Sequence, residues 1–269
     1  MNPEEKKRIY NRPYMRTKDL LSIKVSLGSY DFFVDSLIRQ ALSKQSTYTC
    51  VANVHMVSEA YKSNTYASIM KNADMVTPDG KPLTWALKFL YNIKQERVAG
   101  MDLLPDLLKA AEEHQIPVAF YGGTEEMLEK TRQHLQEYYP EIKVANMYSP
   151  PFRNLTREEE SSIVSMLRES NARLVFVILG CPKQEKWMAS MKGKIDAVMI
   201  GIGGALPVLI GMHRRAPKWM QKAGLEWLYR LGQEPSRLFR RYATSNTLFF
   251  YYLLKEKLRP SRNGKEVEN

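Results

Sequence analysis

Cysteine is scarce in this chain. Cys50 and Cys181 are the only two in 269 residues. Both sit in apolar, strand-like runs, which fits two core thiols in a reducing compartment better than a disulfide framework. Long hydrophobic runs are missing too. No stretch approaches the roughly 20 apolar residues of a membrane-spanning helix. The charged opening MNPEEKKRIYNRPYMR lacks the apolar core of a secretory signal. The histidines, His55, His114, His134 and His213, are scattered without metal-ligand spacing. No Asp-x-Asp pair offers itself to a nucleotide-bound divalent ion, and no serine or cysteine nucleophile motif appears. The expectation is a cytoplasmic protein with no metal and no other cofactor.

What is present is ordinary globular composition, 44% hydrophobic and 26% charged, with an uneven charge distribution. Residues 213–262 hold twelve Lys/Arg against three acids, Glu226, Glu234 and Glu256. That segment carries +9 of the chain's net +11. Such asymmetry points to an anionic partner: a membrane surface, a diphosphate or nucleic acid.

Along the chain, apolar runs alternate with helical patterns. TYTCVANV, DMVTP, IPVAFYGG, IKVANMY, ARLVFVILG and DAVMIGIGG read as strands. Between them lie amphipathic stretches, including one continuous helical pattern over 55–72. Val/Ile/Leu runs separated by helices predict an α/β fold: a Rossmann-like, mostly parallel sheet with helices on both faces. We assign 1–211 to this catalytic domain, with the alternation beginning near residue 20. Residues 212–260 form a helical, basic C-terminal appendage, broken at Gly224 and Pro235. The polar stretch 261–269 is expected to be a disordered tail.

In such a sheet, ligands bind beyond the carboxyl ends of the strands, beside the following helix N-termini. Four segments fall there: Asn53, TPDG, GCPKQE and GIGGA. Asp79 lies in Pro-Asp-Gly, which is turn chemistry, and it can cap the helix starting near Gly80. It can equally be a general base held near an acceptor hydroxyl. Arg97 is either a surface charge or a guanidinium clamp for a diphosphate. Pro182 suits a first helical position, with Lys183 and Gln184 in the first turn of a phosphate or sugar site. Gly203 and Gly204 close a glycine-rich strand end that departs from the dinucleotide fingerprint G-x-G-x-x-G. In the appendage, Arg230, Arg237 and Arg241 share one face if the helix is continuous, and Pro235 is placed to bend it. Cations there interleave with Trp219, Trp227, Tyr229, Phe239 and Tyr242, and LFFYYLL adds an apolar patch. That pattern fits either a docked helical cap with a solvated basic face or an interfacial segment on anionic lipid. Nucleic acid is the weaker option, since no nucleic-acid-binding fold is visible.

The ordered set TPDG, ERVAGMDLL, LGCPKQEKWM and GIGGALPVLIGMHRRAPKWMQKAGLEWLYRLGQEPSRLFRRY resembles the bacterial WecG/TagA/CpsF glycosyltransferase family over roughly residues 25–245. The resemblance implies an inverting, metal-independent transfer from a UDP-sugar to a polyprenyl-diphosphate-linked glycan in cell-surface polysaccharide synthesis. It places the protein peripherally on the inner face of the plasma membrane. By the same resemblance Asp79 is the catalytic base. Asn53, Arg97 and Gln184 fall on the family's polar site positions, and Lys183, Gly203 and Gly204 join them as substrate-binding candidates from their strand-end placement alone. Arg214, Arg230, Arg237 and Arg240 lie in the matching appendage, whose arginines are expected to meet diphosphate, and Arg241 is added from the helical spacing as a diphosphate or membrane contact. Two positions depart from the family pattern: Val51 stands where a Thr is common, and Leu206-Pro207 where Phe-Asp is common. Two other readings compete. GIGGA suggests a Rossmann-type nucleotide-dependent oxidoreductase or group-transfer enzyme, and the basic segment suggests a non-catalytic binder of acidic lipid.

Overall fold

A computed structural model describes residues 15–258. The expected disordered tail over 261–269 and the charged opening segment before residue 15 lie outside the described residues. The described chain starts with an antiparallel hairpin, β1 (Arg16–Leu20) and β2 (Ile23–Leu27). Helix α1 (Tyr30–Leu42) follows, with Ser29 accepting the Phe32 N–H at its N-terminus. These elements escape the alternation read from the sequence. The hairpin turns at Leu21, whose φ of 58° is a conformation normally advertised by Gly or Asn. Burial of Leu20, Ile23 and Val25 holds the hairpin down, and the Ser26 hydroxyl accepts the Val76 N–H at 3.0 Å.

The central sheet comprises β3 (Thr47–Ala52), β4 (Met75–Pro78), β5 (Val118–Gly122), β6 (Val144–Tyr148), β7 (Leu174–Ile178) and β8 (Val198–Gly201). Its order is β4-β3-β8-β7-β5-β6, and every neighbouring pair is parallel. All strands but the β6 edge are buried along their whole length. This is why their sequences read as continuous rather than alternating apolar runs.

Helices cover both faces. On the first face α1 packs with α5 (Gly100–Glu113) and α6 (Glu125–Tyr138), through Phe33, Leu37, Leu104, Leu107 and Leu128. On the second lie α2 (Val54–Lys62), α3 (Asn64–Lys71), α4 (Lys81–Tyr91), α7 (Arg157–Glu169) and α8 (Lys183–Met191). The helical pattern over 55–72 is therefore two helices. Ser63 ends α2 and caps α3, its side chain accepting the Tyr66 N–H. The apolar spacing runs through this break, and only the cap geometry divides it.

After β8 a 3₁₀ turn (Gly203–Ala205) leads into the short helix α9 (Leu206–Leu209). The last strand thus ends at Gly201, three residues before the end of its sequence pattern. The chain is then helical: α10 (Lys218–Ala223), α11 (Glu226–Gln233) and α12 (Pro235–Leu258). Gly224, at φ 74°, ends α10, and Pro235 opens α12. Helix α12 lies on α2 and α4. Tyr252 stacks on Tyr61 at 3.8 Å, and the Ser58 hydroxyl donates to the Ser245 carbonyl at 2.9 Å. Lys257 Nζ donates to the Phe89 carbonyl at 2.9 Å, in the last turn of α4. Phe249 and Leu253 enter the core of the second face. Among the described residues, no helix is long and apolar enough to cross a membrane.

Phe249 is the apolar anchor of α12. Phe249→Ala is expected to cost about 3–5 kcal/mol in denaturant unfolding, with faster hydrogen exchange along 235–258 than in the sheet.

Candidate active site

Parallel pairing fixes where the four marked segments meet. Asn53 follows β3, Asp79 follows β4, the Gly180–Gln184 turn follows β7, and Gly203–Gly204 follow β8. In the order β4-β3-β8-β7 these strands are four consecutive neighbours. Segments scattered over more than a hundred residues of sequence therefore line one edge of the sheet, as Asn53, Asp79, Lys183, Gln184, Gly203 and Gly204 were expected to do.

Asn53 caps α2, its side chain accepting from His55 and Met56 N–H. Its outer surface stays exposed. Asp79 does not cap. Helix α4 has Gly80 as its N-cap, at φ 100°, and no side-chain cap hydrogen bond. The capping alternative is thereby removed. The Asp79 backbone N–H is tied to the Ala52 carbonyl at 2.7 Å, which fixes the residue to the neighbouring strand end. Its side chain is half-buried, and among the described residues no hydrogen bond to its carboxyl is formed. Burial pushes its pKa up to about 7. Arg97 and Arg230 oppose that rise, while Glu226 and Asp102 add to it. A carboxylate in this state is poised between acid and base near neutrality.

Arg97 is not a surface charge. Its side chain is 13% exposed and lies between two carboxylates. Nη2 donates to Asp102 at 3.0 Å, and Nη1 donates to Glu226. Arg215 completes the chain from the other side of Asp102. Glu226 belongs to α11, so this ion-pair series joins the appendage to the strand ends. Asp102, Arg215 and Glu226 were not singled out by sequence. They left only traces: Glu226 and Arg215 as one of three acids and one of twelve bases in residues 213–262, and Asp102 within ERVAGMDLL.

The appendage arginines do not share one face. The helix breaks at Glu234, so Arg230 on α11 and the arginines of α12 diverge. Arg230 points inward, lying so close to Gly204 that a Cβ there would sit 2.5 Å from Nη2. Arg237 is held by Glu234, through Nη2 at 2.8 Å. Arg240 is exposed. Arg241 lies over the Tyr242 ring, with its Nε buried and unpaired, and its charge helps burial to lower the His55 pKa. Arg214 is fastened by its backbone, donating to Gln233 Oε1 at 3.1 Å and accepting from Nε2 at 3.0 Å. A cleft between core and appendage is lined by Met101, Val208, Arg215, Glu226, Arg230 and Gln233.

On the β7 side, Pro182 is the N-cap of α8 rather than its first residue. Lys183 is exposed and Gln184 turns inward, only 4% exposed. The substituted positions offer little polarity: Val51 is buried beside Gly100, and Leu206 is wholly buried. Cys50 and Cys181 are both free thiols, Cys181 within reach of the Tyr66 hydroxyl at 3.3 Å.

Residues 18–263 match the glycosyl transferase WecG/TagA/CpsF family. Among curated proteins, the chain is 28% identical over 225 residues to an N-acetylglucosaminyldiphosphoundecaprenol N-acetyl-beta-D-mannosaminyltransferase of Bacillus subtilis, covering 83% of this chain and 86% of that one. It is 30% identical to proteins of the same description from Staphylococcus aureus (82% and 85% covered) and Bacillus spizizenii (83% and 86% covered).

The raised Asp79 pKa has a definite sign in stability. Between its unfolded value, 3.8, and about 7 the native state holds a proton that the unfolded chain has released. Its contribution to stability is therefore lost as pH rises through that window. Asp79→Asn is expected to melt higher than the parent at pH 8, and the difference should vanish below about pH 4. If ionised Asp79 is the base, activity should rise with pH through about 7. Glu226→Gln should move that limb to lower pH, because it removes a neighbouring negative charge.

Proposed function

The chain belongs to the WecG/TagA/CpsF family and is a glycosyltransferase, and on that premise we propose that it transfers N-acetylmannosamine or a closely related hexose from a UDP-sugar to a polyprenyl-diphosphate-linked glycan. The relatives' acceptor, an N-acetylglucosaminyl diphosphoundecaprenol, is the first acceptor to test. The observation that carries the reading is a half-buried Asp79 carboxyl, without a hydrogen bond among the described residues, set in the field of Arg97 and Arg230 at one edge of a parallel sheet.

In this reading Asp79 takes the proton of the acceptor hydroxyl. The hydroxyl oxygen forms its bond to the anomeric carbon as the bond from that carbon to the UDP oxygen breaks on the opposite face, inverting the centre. The proton stays on Asp79 until solvent takes it, and UDP leaves with its added negative charge. Arg97, Arg215 and Arg230 supply positive charge next to that developing anion. A general base contributes about 10²–10⁴-fold, so orientation and charge stabilisation carry most of the acceleration. With guanidinium groups in that role, the transfer needs no divalent metal. Arg97 meets a substrate diphosphate only after giving up Glu226, because both anions compete for the same guanidinium.

A peripheral seat on the cytoplasmic face of the plasma membrane follows from a lipid-linked acceptor and a nucleotide-sugar donor. Its support is the exposed aromatic and aliphatic set on the appendage: Trp219 at 64%, Phe239 at 66%, and Phe250, Tyr251 and Leu254 beside exposed Lys255. Apolar side chains flanked by lysines and arginines suit the interface of an anionic bilayer. Lys257 is partly committed to the Phe89 carbonyl, so it is a weaker membrane contact than Lys255.

Three measurements test the reading. Asp79→Asn should lower transfer from UDP-N-acetylmannosamine to a short-chain lipid-diphosphate acceptor by about 10²-fold or more, with a melting temperature no lower than the parent's. Activity should persist in excess EDTA; complete loss restored by Mg²⁺ or Mn²⁺ would contradict the arginine account. Co-sedimentation should favour anionic over neutral vesicles, weaken with salt, and fall on Trp219→Ser with Phe239→Ser.

A further inference from the structure

Gln184 and Glu185 are adjacent on α8, and both side chains are buried, at 4% and 0% exposure. Burying a Glu completely is uncommon without a specific partner. Its partner is Gln184: Nε2 of the amide donates to Glu185 Oε1 at 2.7 Å. That bond fixes which way the amide lies. The nitrogen end rests on Gly201, where a Cβ would come within 2.8 Å of Nε2. The oxygen end faces Gly203, where a Cβ would sit 3.2 Å from Oε1. Gly201 is buried, whereas Gly203 is half-exposed and precedes the exposed Gly204. Gln184 Oε1 itself has no hydrogen-bond partner, although it is enclosed. An enclosed amide oxygen left unpaired costs roughly 1–3 kcal/mol, so its orientation must be imposed by something else. The Glu185 carboxyl imposes it. Tyr66 and Cys181 wall the far side of that carboxyl.

We propose that Glu185 is a positioning residue for the transfer: by accepting the Gln184 N–H it turns the amide oxygen toward the Gly203–Gly204 turn, where it accepts a hydrogen bond from an O–H or N–H of the bound nucleotide sugar. The chemistry follows from the atom presented. A carbonyl oxygen accepts and cannot donate, so it repels phosphate oxygens and selects a hydroxyl, an acetamido N–H or a base N–H. Gln184 therefore reads the sugar or the base of the donor, and the arginines are left to the diphosphate. Glycine at 201 and 203 is the backbone side of the same device, because a Cβ at either position would push the amide out of register. The proposal rests on the reading of this edge as the donor site.

The test is a double-mutant cycle read in donor KM, kcat and melting temperature, with Glu185→Met, Glu185→Gln, Gln184→Met and the double variant Gln184→Met/Glu185→Met. Glu185→Met should raise donor KM about tenfold with little change in kcat, since the amide is then free to turn its N–H side outward. Glu185→Gln should stay near the parent, because its amide carbonyl accepts the same N–H. In the Gln184→Met background, Glu185→Met should change KM by less than about twofold. UDP affinity, measured alone, separates the sources of the donor hydrogen: a base N–H or ribose O–H moves it with the same pattern, a group of the transferred sugar leaves it unchanged. Equal KM effects of Glu185→Met in both backgrounds would overturn the proposal, as would losses in Glu185→Gln that follow a lowered melting temperature. Should the parent chain itself transfer nothing, the substrate assignment fails; a transferring parent with an additive cycle removes Glu185 alone.

Discussion

Parallel pairing of β4, β3, β8 and β7 is the constraint from which the site follows. Parallel strands carry their carboxyl ends to one edge, and each end here is followed by a turn and then a helix N-terminus. The edge therefore gathers orphan N–H groups and short turns whatever the side chains are. What this chain adds is a carboxylate after β4, an amide after β7 and a glycine turn after β8. The Asp79 N–H bond to the Ala52 carbonyl extends the ladder one step past the strand and fixes the carboxylate's backbone.

Charge is then arranged around Asp79 by elements from distant parts of the sequence. Arg97 and Asp102 come from the approach to α5 and its first turn, Arg215 from the segment after α9, and Glu226 and Arg230 from α11. The three arginines and the three carboxylates, Asp79 included, balance. That balance allows charged groups to be enclosed together at tolerable cost, because each guanidinium takes a charge-assisted bond or faces a carboxylate. The same arrangement joins the appendage to the strand ends, because Glu226 of α11 holds Arg97.

The appendage has two unlike sides. One side is packed, with Phe249, Leu253 and Tyr252 against α2 and Lys257 on the end of α4. The other leaves large apolar side chains in solvent beside basic ones. The inward arginines and the outward aromatics are thus different features of one segment, which its sequence alone presents as a single basic stretch.

The sequence by itself determined the sheet. Fully buried parallel strands need unbroken apolar runs, and those runs stand plainly between amphipathic helices from Thr47 to Gly201. It also marked the strand-end segments, because turn and helix-start chemistry is local and depends on residue type. Its limits lay where local signals were weak or ambiguous. The hairpin turn at Leu21 carries no glycine, and the split at Ser63 interrupts no apolar spacing. Tertiary structure alone decided that Asp79 does not cap α4, since capping depends on backbone angles at Gly80 rather than on the presence of an Asp. It alone decided which appendage arginines face inward, because a helix break at Glu234 rotates one set away from the other. Glu226 and Glu185 acquired their roles from partners: an acid on a surface helix and an acid after a glutamine look ordinary in sequence, and only enclosure next to Arg97 or the Gln184 amide gives them chemistry.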